Sequence, residues 1–392
     1  MKILYDHQIF YIQKFGGISR YFYELMNHSK NLFEYDIPRL YSDNIYVKLL
    51  KKNKEFPLKF NFKGKGRIIN YINKTNSIKK LKNKNYDIIH PTYYDPYIIN
   101  EITKITQRKN DKMFAFNLEI PEEKEKIIYK EKTFLENNYN YERQNYILFT
   151  GQRGTYKNFF KFIEAVSPLL FRYNLRLICT GQELTKDEII FLNKYKIVEK
   201  TKVVFASETE LQDFYSKALL FVFPSLYEGF GFPILEAFTT GCPMVLSNTS
   251  CFPEIAGDAA IYFDPYSVDD IRDKIENVIL SNSLRTMLIK RGFERLKHFS
   301  WEKTVKQTYQ LYSDLINNNI SNEIRLVVTV HDMIHELFPK CFSVKDKTKN
   351  NKYIMMKNAD KIIAISENTK MDIINIYPKI DKKKITVIYH GN

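Results

Sequence analysis

Short runs of apolar residues recur along most of the chain, and each has the length of a β-strand buried on both faces. The first eight runs are MKILYD (1–6), YDIIHPT (86–92), YILFTG (146–151), LRLICTG (175–181), KVVFAS (202–207), LLFVFPS (219–225), MVLSN (244–248) and AAIYFD (259–264). Segments of helical pattern separate several of them, as at 159–171, 209–216 and 234–240. This alternation predicts an α/β fold with parallel sheets covered by helices on both faces. Because there are too many strands for one open sheet, we expect two Rossmann-like domains.

Three more strand-like runs lie in the last seventy residues, at 326–330, 362–365 and 386–388. The first of them continues directly into His331 and Asp332. Each run is apolar on both faces and needs helices on both sides, but seventy residues alone would form only a marginal domain. We therefore predict that these runs join the strands at 3–5 and 88–89 in one parallel sheet. His331 would then lie at the carboxyl edge, where such sheets bind ligands.

Domain boundaries follow from the same pattern. We expect a discontinuous first domain made of residues 1–100 plus 323–392, and a second domain made of residues 143–300. The segment 101–142 is rich in Lys, Glu and Asn and breaks the strand–helix rhythm. It is predicted to connect the two domains.

Length and cysteine content narrow the class of protein. The chain has 392 residues, 44% of them hydrophobic, which is enough for two domains of ordinary size. No apolar run approaches the roughly 18 residues that span a bilayer, and the start, MKILYDHQIF, has no signal-peptide pattern. We therefore expect a cytoplasmic protein. The four cysteines form no Cys-x-x-Cys pair, which argues against a disulfide scaffold or a zinc site.

Positive charge is concentrated between Lys48 and Lys84. The net charge is +15, and this stretch contains thirteen lysines or arginines but one acidic residue. Two interpretations are open, an ordinary solvated face or a patch for an anionic surface. Phe56, Phe60 and Phe62 interleave with the lysines, which suits peripheral binding to the inner face of the cytoplasmic membrane. No RNA- or DNA-binding module accompanies the stretch, so we expect no nucleic acid partner.

The stretch PSLYEGFGFPILEAFTTGCP (224–243) carries the most specific chemical pattern. A strand ends at its start, a glycine-bearing loop follows, and Pro233 stands where a helix should begin. Such a loop directs the backbone N–H groups of Gly229, Phe230, Gly231 and Phe232, together with the positive end of the helix, at one spot. This arrangement suits a phosphate.

Two glutamates of the same stretch, Glu228 and Glu236, have the spacing E-x7-E. A carboxylate that faces the phosphate pocket can accept hydrogen bonds from the vicinal hydroxyls of a sugar. The alternative is a tight turn with two surface glutamates, but the whole string is far more specific than a lone glycine loop.

This string resembles the retaining glycosyltransferases of family 4, which have the GT-B fold, two Rossmann-like domains facing across a cleft. The resemblance continues in YILFTGQRGTYKNF (146–159), where the family places an Arg and a Lys that hold the donor diphosphate. Arg153 and Lys157 match those positions, and substituting either is expected to weaken donor binding and barely to affect folding. ELQDFYSKALLFVFPS (210–225) and CFPEIAGDAAIYFDP (251–265) also match, so about 150 consecutive residues are in register.

Motifs of the first domain extend the resemblance. FGGISRYFYEL (15–25) is similar to the family's glycine loop, so Gly17 is expected against the donor phosphates. YDIIHPTYYDP (86–96) looks like an acceptor-side loop, which makes His90, Tyr93 and Tyr94 candidate acceptor contacts, although a core histidine is an equally good interpretation of His90. VVTVHDMIHELFP (327–339) resembles the motif whose histidine, here His331, lies over the transferred sugar.

The order of these motifs departs from the family pattern. KIIAISENTKMDI (361–373) and ITVIYHGN (385–392) resemble the strands that follow the histidine motif, yet the family places this segment at a point corresponding to residues 100–101. Two explanations are open, a permuted chain or an ordinary chain whose written order is rearranged. Residues 301–322 resemble the family's terminal helix, which crosses back to the first domain, so a permuted chain could add the missing strands there.

The resemblance implies transfer of a hexose, with retention at the anomeric carbon, from a nucleotide-diphosphate sugar to a glycan or lipid-linked acceptor in surface-polysaccharide synthesis. The HDMIHELFP and YKNF strings look most like mannosyltransferases, so GDP-mannose is the favoured donor and UDP-hexoses come next. Glu228 and His331 would shape the sugar pocket, and Glu236 would bind the donor ribose. Because no Asp-x-Asp pair is present, we expect no metal, and no cofactor beyond the donor substrate.

Two other kinds of function are open. A sugar-nucleotide epimerase or a phosphorylase would use the same cleft, although the EGFGFPILE string favours transfer. The non-enzymatic alternative is a basic membrane- or nucleic-acid-binding protein on a transferase scaffold, and the presence of every expected site residue argues against it.

Overall fold

The computed structural model describes residues 1–29, 32–54, 63–83, 86–110, 143–317 and 323–392. The β-strands are β1 Lys2–Tyr5, β2 Glu34–Asp36, β3 Leu40–Tyr41, β4 Asn53–Lys54, β5 Ile88–His90, β6 Tyr146–Thr150, β7 Arg176–Thr180, β8 Thr201–Val204, β9 Leu220–Phe223, β10 Met244–Ser247, β11 Ile261–Phe263, β12 Arg325–Val330, β13 Lys361–Ala364 and β14 Ile385–Val387. The α-helices are α1 Gln8–Ile12, α2 Gly17–His28, α3 Ile45–Leu49, α4 Lys65–Asn83, α5 Tyr97–Asn110, α6 Phe159–Arg172, α7 Lys186–Lys194, α8 Glu208–Lys217, α9 Phe232–Thr239, α10 Phe252–Ala256, α11 Val268–Leu280, α12 Asn282–Leu296, α13 Trp301–Asn317, α14 Ile334–Leu337, α15 Thr348–Asn358 and α16 Glu367–Ile376. Short 3₁₀ turns cover Thr155–Lys157, Val198–Lys200, Pro339–Cys341 and Lys382–Lys384.

The first large sheet has the strand order β14-β13-β12-β5-β1-β2, and all neighbouring strands are parallel. Ile88 of β5 pairs with Ile3 on one side and with Arg325 on the other. The strands from the end of the chain therefore extend the sheet that the first ninety residues begin. This confirms the prediction that the two ends of the chain share one parallel sheet.

The second large sheet has the strand order β11-β10-β9-β6-β7-β8 and is also entirely parallel. Its two faces bury separate apolar cores, with Leu148 and Phe221 on one face and Ile147 and Val222 on the other. Burial on both faces explains why the strands read as continuous apolar runs. The predicted α/β fold with two Rossmann-like sheets is confirmed.

Helix α13 leaves the second domain and packs against the first sheet. Trp301, Val305 and Tyr312 lie in the same buried cluster as Ile3 of β1. The helix ends at Asn317, and the next described element is β12, which inserts beside β5 in the first sheet. The helix therefore brings the chain back to the first domain, as the family resemblance implies. The link 318–322 lies outside the described residues.

The predicted connection at 101–142 begins too early in the chain. Residues 101–110 belong to α5, which packs against α4 in the first domain. The strand–helix rhythm therefore continues for ten residues beyond the predicted boundary, and the remaining residues, 111–142, lie outside the described ranges.

Much of the basic stretch folds into the unpredicted helix α4. The side chain of Asn73 bonds both backbone groups of Tyr41, accepting from its N–H and donating to its carbonyl oxygen (both 2.9 Å), and so fixes α4 to β3. The sequence pattern did not predict this helix because its apolar residues do not gather on one side. Four residues named in the sequence analysis lie outside the described ranges, namely Phe56, Phe60, Phe62 and Lys84.

Within the described ranges, no helix is both long and apolar enough to cross a membrane.

Candidate functional site

The carboxyl edges of the two sheets meet at the loop that follows β9. A β-carbon on Gly229 would overlap the backbone oxygen of His331, which follows β12. A β-carbon on Gly17 would come within 3.2 Å of the Phe232 ring. The loop bearing Glu228 thus lies against both His331 and Gly17, which is the placement that the sequence predicts.

The loop enters α9 through a backbone conformation that favours glycine. Gly231 precedes the first helical residue, Phe232, and has φ of +86°, in the left-handed region. Ser250 supports the loop, because its hydroxyl accepts from the N–H of Glu228 (3.1 Å) and donates to the carbonyl oxygen of Glu228 (2.6 Å). The first N–H groups of a helix have no partners within the helix and carry its positive end. The start of α9 is therefore suited to an anionic group.

Lys157 lies beside this loop, in the turn that follows β6. Its Nζ is 2.5 Å from Oε1 of Glu228, and the two side chains are only 16% and 13% exposed. Burial alone would lower the pKa of Lys157, but the Glu228 carboxylate offsets this and the pKa is raised. A protonated lysine and a carboxylate therefore form a mostly buried ion pair next to the start of α9.

Arg153 follows the same strand, but its guanidinium has partners within the second domain. Its Nε donates to Glu188 at 2.9 Å, and Nη2 donates to the carbonyl oxygens of Gln182 and Glu183. Both members of the ion pair are buried, with 4% and 7% of their side chains exposed. Buried Nη1 makes no hydrogen bond within the described part of the chain. Arg153 thus has a structural role that its sequence context did not reveal, and its contact with a donor remains a prediction.

Arg20 is a cleft residue that the sequence analysis did not single out. It lies three positions after Gly17 on α2, with Nη1 3.4 Å from Oε1 of Glu236 and its guanidinium 5.7 Å from the Phe232 ring centroid. Burial raises the pKa of Glu236, and Arg20 opposes the rise. The sequence signal that could have identified Arg20 was a cation one helical turn after the Gly-Gly pair.

His331 lies at the carboxyl end of β12, with 6% of its surface exposed. Its backbone N–H donates to the hydroxyl oxygen of Tyr94 (3.1 Å), whereas its buried Nε2 has no hydrogen-bond partner among the described residues. Burial lowers the pKa of His331 to about 3. The imidazole is therefore neutral at physiological pH and can donate or accept a hydrogen bond.

His390, a second histidine that the sequence analysis did not single out, lies next to His331. Its ring stacks on Phe232 at 4.8 Å with an interplanar angle of 2°, and its centroid is 6.1 Å from that of His331. Burial lowers its pKa well below the usual value. The signal for this residue was a third His at a predicted strand end, in YHGN, after His90 and His331.

The three acceptor-side candidates have different environments. His90 is fully buried, with Nδ1 2.5 Å from the Tyr312 hydroxyl and Nε2 2.8 Å from the Thr329 hydroxyl, so the structure favours the core-histidine interpretation. Tyr94 is buried and supports His331. Tyr93 is half-buried and lines a pocket of about 280 Å³ that Gln8 also lines. Tyr93 is therefore the most accessible of the three candidates, and its contact with an acceptor remains a prediction.

The described residues contain no group of three or more His, Cys, Asp or Glu side chains arranged to hold a metal ion. Metal independence itself remains a prediction.

Two family models match the chain. The model of glycosyl transferases group 1 matches residues 130–295, which include the second sheet. The model of glycosyltransferase family 4 matches residues 311–391, which include the last three strands of the first sheet. The chain therefore contains a group 1 and a family 4 glycosyltransferase domain. The residues matching the family 4 model follow those matching the group 1 model.

Curated relatives are named as mannosyltransferases. O-antigen chain mannosyltransferase B of Escherichia coli is 34% identical over 178 residues, which are 43% of this chain and 46% of the relative. O-antigen chain mannosyltransferase RfbU of Salmonella typhimurium is 31% identical over 142 residues, which are 35% of this chain and 39% of the relative. The chain thus matches less than half the length of these relatives.

Solved structures support the GT-B fold. WaaG, a glycosyltransferase involved in lipopolysaccharide biosynthesis, superposes with a TM-score of 0.51 over 80% of this chain and 100% of its own, at 14% identity. At that identity the likeness concerns the fold. The GT-B prediction is confirmed by this likeness together with the two parallel sheets.

Arg153→Ala should destabilise the protein, contrary to the expectation from sequence. The change leaves the buried Glu188 carboxylate without its cation, and such a loss typically costs about 3–5 kcal/mol. Chemical denaturation would measure the free energy of unfolding. The double variant Arg153→Met with Glu188→Gln removes both charges and should recover part of that loss. Unfolding of Arg153→Ala at the wild-type denaturant concentration would contradict the structural role.

Proposed function

We propose that this glycosyltransferase moves a hexose from a nucleotide-diphosphate sugar to a hydroxyl group of a glycan or lipid-linked acceptor. The observation that carries the proposal is the meeting of the Glu228 loop with His331 across the two sheets. It brings a lysine and a helix start, which suit a diphosphate, next to a buried neutral imidazole, which suits a sugar hydroxyl.

The donor diphosphate would bind at the start of α9. The ammonium of Lys157 and the N–H groups of Gly231 and Phe232 would stabilise the negative charge that develops on the leaving group. Lys157 is held by Glu228 in this structure, so a phosphate oxygen would share or replace that partner. Because the pair is mostly buried, the cation is already positioned and partly dehydrated before the donor arrives.

The ribose of the donor would bind near Glu236, whose carboxylate can accept hydrogen bonds from both vicinal hydroxyls. Arg20 pairs with this carboxylate and comes from the opposite domain. The pair therefore connects the donor side of the cleft to α2, and we expect the bound nucleotide to strengthen this connection.

Retention at the anomeric carbon is proposed from the positions of the two glutamates. Glu228 is paired with Lys157 and Glu236 with Arg20, so neither stands free as a nucleophile. We favour attack from the face of the leaving group, with a departing phosphate oxygen taking the proton of the acceptor hydroxyl. His331 would orient the transferred sugar through Nε2, which has no other hydrogen-bond partner in the described part of the chain.

GDP-mannose is the proposed donor, with UDP-hexoses next. The names of the two O-antigen relatives support mannose. Both names also refer to the O-antigen chain, which supports a glycan acceptor.

A panel of nucleotide sugars tests this proposal. Purified protein with GDP-mannose should release GDP slowly, and faster when a lipid-linked oligosaccharide is added, while EDTA should leave the rate unchanged. Proton NMR of the product should show the anomeric configuration of the donor. An epimerase would change the sugar without releasing the nucleotide, and a phosphorylase would form a sugar phosphate. Absence of nucleotide release from every donor would refute the proposal.

Lys157→Ala should weaken binding of the nucleoside diphosphate about 10- to 150-fold. The estimate assumes loss of one charge-assisted hydrogen bond, about 1.5–3 kcal/mol. Titration calorimetry with GDP would measure the dissociation constant. The matched control is Lys161→Ala, because Lys161 lies on α6 and donates to the backbone oxygen of Tyr266 on the surface. Equal affinity in Lys157→Ala and the control would remove Lys157 from the site.

We also propose that the basic stretch binds the anionic inner face of the membrane. Exposed apolar side chains occur on three adjoining segments of the first domain, with Ile12 54%, Leu49 62% and Tyr71 72% exposed. Hydrogen bonds join these segments, from the N–H of Ile45 to Lys14 and from the Tyr11 hydroxyl to Gly66. Among the lysines nearby, Lys48 and Lys51 are exposed. Apolar side chains among lysines suit a lipid interface.

Lys48→Glu with Lys51→Glu should reduce binding to anionic vesicles about tenfold or more. Each lysine near such a surface contributes about 1 kcal/mol, and higher salt should weaken binding of the wild type. Vesicle sedimentation would measure the bound fraction. Lys186→Glu with Lys194→Glu, on α7 of the second domain, is the control of equal charge. Equal binding to neutral and anionic vesicles would contradict the electrostatic proposal, and preferential binding to RNA would favour a nucleic acid partner.

A further inference from the structure

A fully buried lysine lies beneath the loop that carries His331. The side chain of Lys352, on α15, is 0% exposed, and its Nζ donates to the carbonyl oxygen of Asp332 at 2.7 Å. The same Nζ donates to Oε2 of Glu336 at 2.9 Å, and that side chain is 1% exposed. The second oxygen of Glu336 accepts from the Tyr377 hydroxyl at 3.2 Å. Both charges are therefore buried and hydrogen-bonded on this side of the first domain.

The backbone on either side of Asp332 is held in the same way. The N–H of His331 donates to the Tyr94 hydroxyl at 3.1 Å, and the N–H of Met333 donates to the Tyr227 hydroxyl at 3.3 Å. Three consecutive residues are thus each fixed by one side chain, and the three side chains come from separate parts of the chain. Tyr227 belongs to the second domain and immediately precedes Glu228. The position of the segment 331–333 is therefore set from both sides of the cleft.

A buried ion pair often contributes little net stability to a fold. The loss of hydration of the two charges can exceed their attraction, and replacing such a pair with apolar residues is often neutral or stabilising. Apolar residues in place of the pair could not form the hydrogen bond that Lys352 donates to the Asp332 carbonyl oxygen. This hydrogen bond fixes the backbone of the residue that follows His331. The Lys352 charge also adds to the effect of burial in lowering the pKa of His331.

We propose that Lys352 is a positioning residue that holds His331 in place through the backbone oxygen of Asp332, with Glu336 as its buried counter-ion. The inference rests on the proposed function, in which His331 contacts the transferred sugar. The donor nucleotide binds on the other domain, at Lys157 and α9. Loss of Lys352 should therefore lower kcat much more than it raises KM for the donor.

The test compares single and double variants. Lys352→Met removes the bond to Asp332 but leaves Glu336 with an uncompensated buried charge, so both stability and kcat should fall. Glu336→Gln with Lys352→Met removes both charges and keeps an acceptor for Tyr377, so the melting temperature should largely recover. In this double variant kcat should stay at least tenfold below that of the wild type, while KM for the donor changes less than about threefold. The control is Glu367→Gln with Lys370→Met, an ion pair on α16 whose side chains are 53% and 31% exposed.

Recovery of kcat together with stability in the double variant would show that the pair only stabilises the fold, and would overturn the proposal. Equal changes in kcat and KM would do the same. A readout without activity separates this inference from the proposed function. Amide hydrogen exchange at His331 and Met333, and the NMR signals of the His331 ring, should change in the double variant and not in the control. If the wild type transfers no sugar but these signals change, the proposed function fails and the network stands; unchanged signals refute the network.

Discussion

The two domains meet where the α-carbon of Gly229 lies against the carbonyl oxygen of His331, and a side chain at residue 229 would not fit in this space. The carbonyl oxygen of Gly229 accepts hydrogen bonds from the hydroxyls of Ser366 (2.7 Å) and Thr369 (3.3 Å), at the start of α16. Glu254 of the second domain accepts from the first N–H groups of the same helix, at 2.6 and 2.9 Å. Backbone contacts therefore hold the loop bearing Glu228 against the first domain. The Glu228 side chain is not needed for these contacts and can line the cleft.

The charged groups of the cleft are paired in the structure. Lys157 with Glu228 and Arg20 with Glu236 are ion pairs that a bound nucleotide sugar would share. Pairing satisfies these charges where they are partly shielded from water, so that the site does not contain an isolated buried charge. Binding of the proposed donor would then exchange one set of charge-assisted bonds for another.

The histidines show how similar sequence contexts lead to different roles. His90 and His331 both end apolar strands of the first sheet, and burial lowers the pKa of each to about 3. Both ring nitrogens of His90 are occupied by Tyr312 and Thr329, which join β5 to α13 and β12. His331 occupies the next strand of the sheet and faces the glycine loop of the other domain. One neutral histidine therefore joins elements of the first domain's core, and the other faces the cleft.

The sequence by itself determined the principal motifs and most of the strands, although not the short strands β2, β3 and β4. Apolar runs such as 146–151 are long enough to show burial on both faces, and the E-x7-E string combines glycines, a proline and two carboxylates in a local pattern. The joining of both chain ends in one sheet also followed from sequence, because neither end contains enough strands alone. The strands and motifs depend on neighbouring residues, and their local pattern is visible in a sequence.

The tertiary structure decided which charged and polar side chains become partners. The pairing of Arg153 with Glu188 joins residues 35 positions apart, and that of Arg20 with Glu236 joins residues 216 positions apart. The support of His331 by Tyr94 spans 237 positions. No periodicity or local propensity specifies such contacts, because they depend on how whole elements pack. The burial of Lys352 could not be predicted for the same reason. Lys352 lies on a polar stretch of α15, and only the packing of α14 and α15 against the His331 loop explains why it is buried.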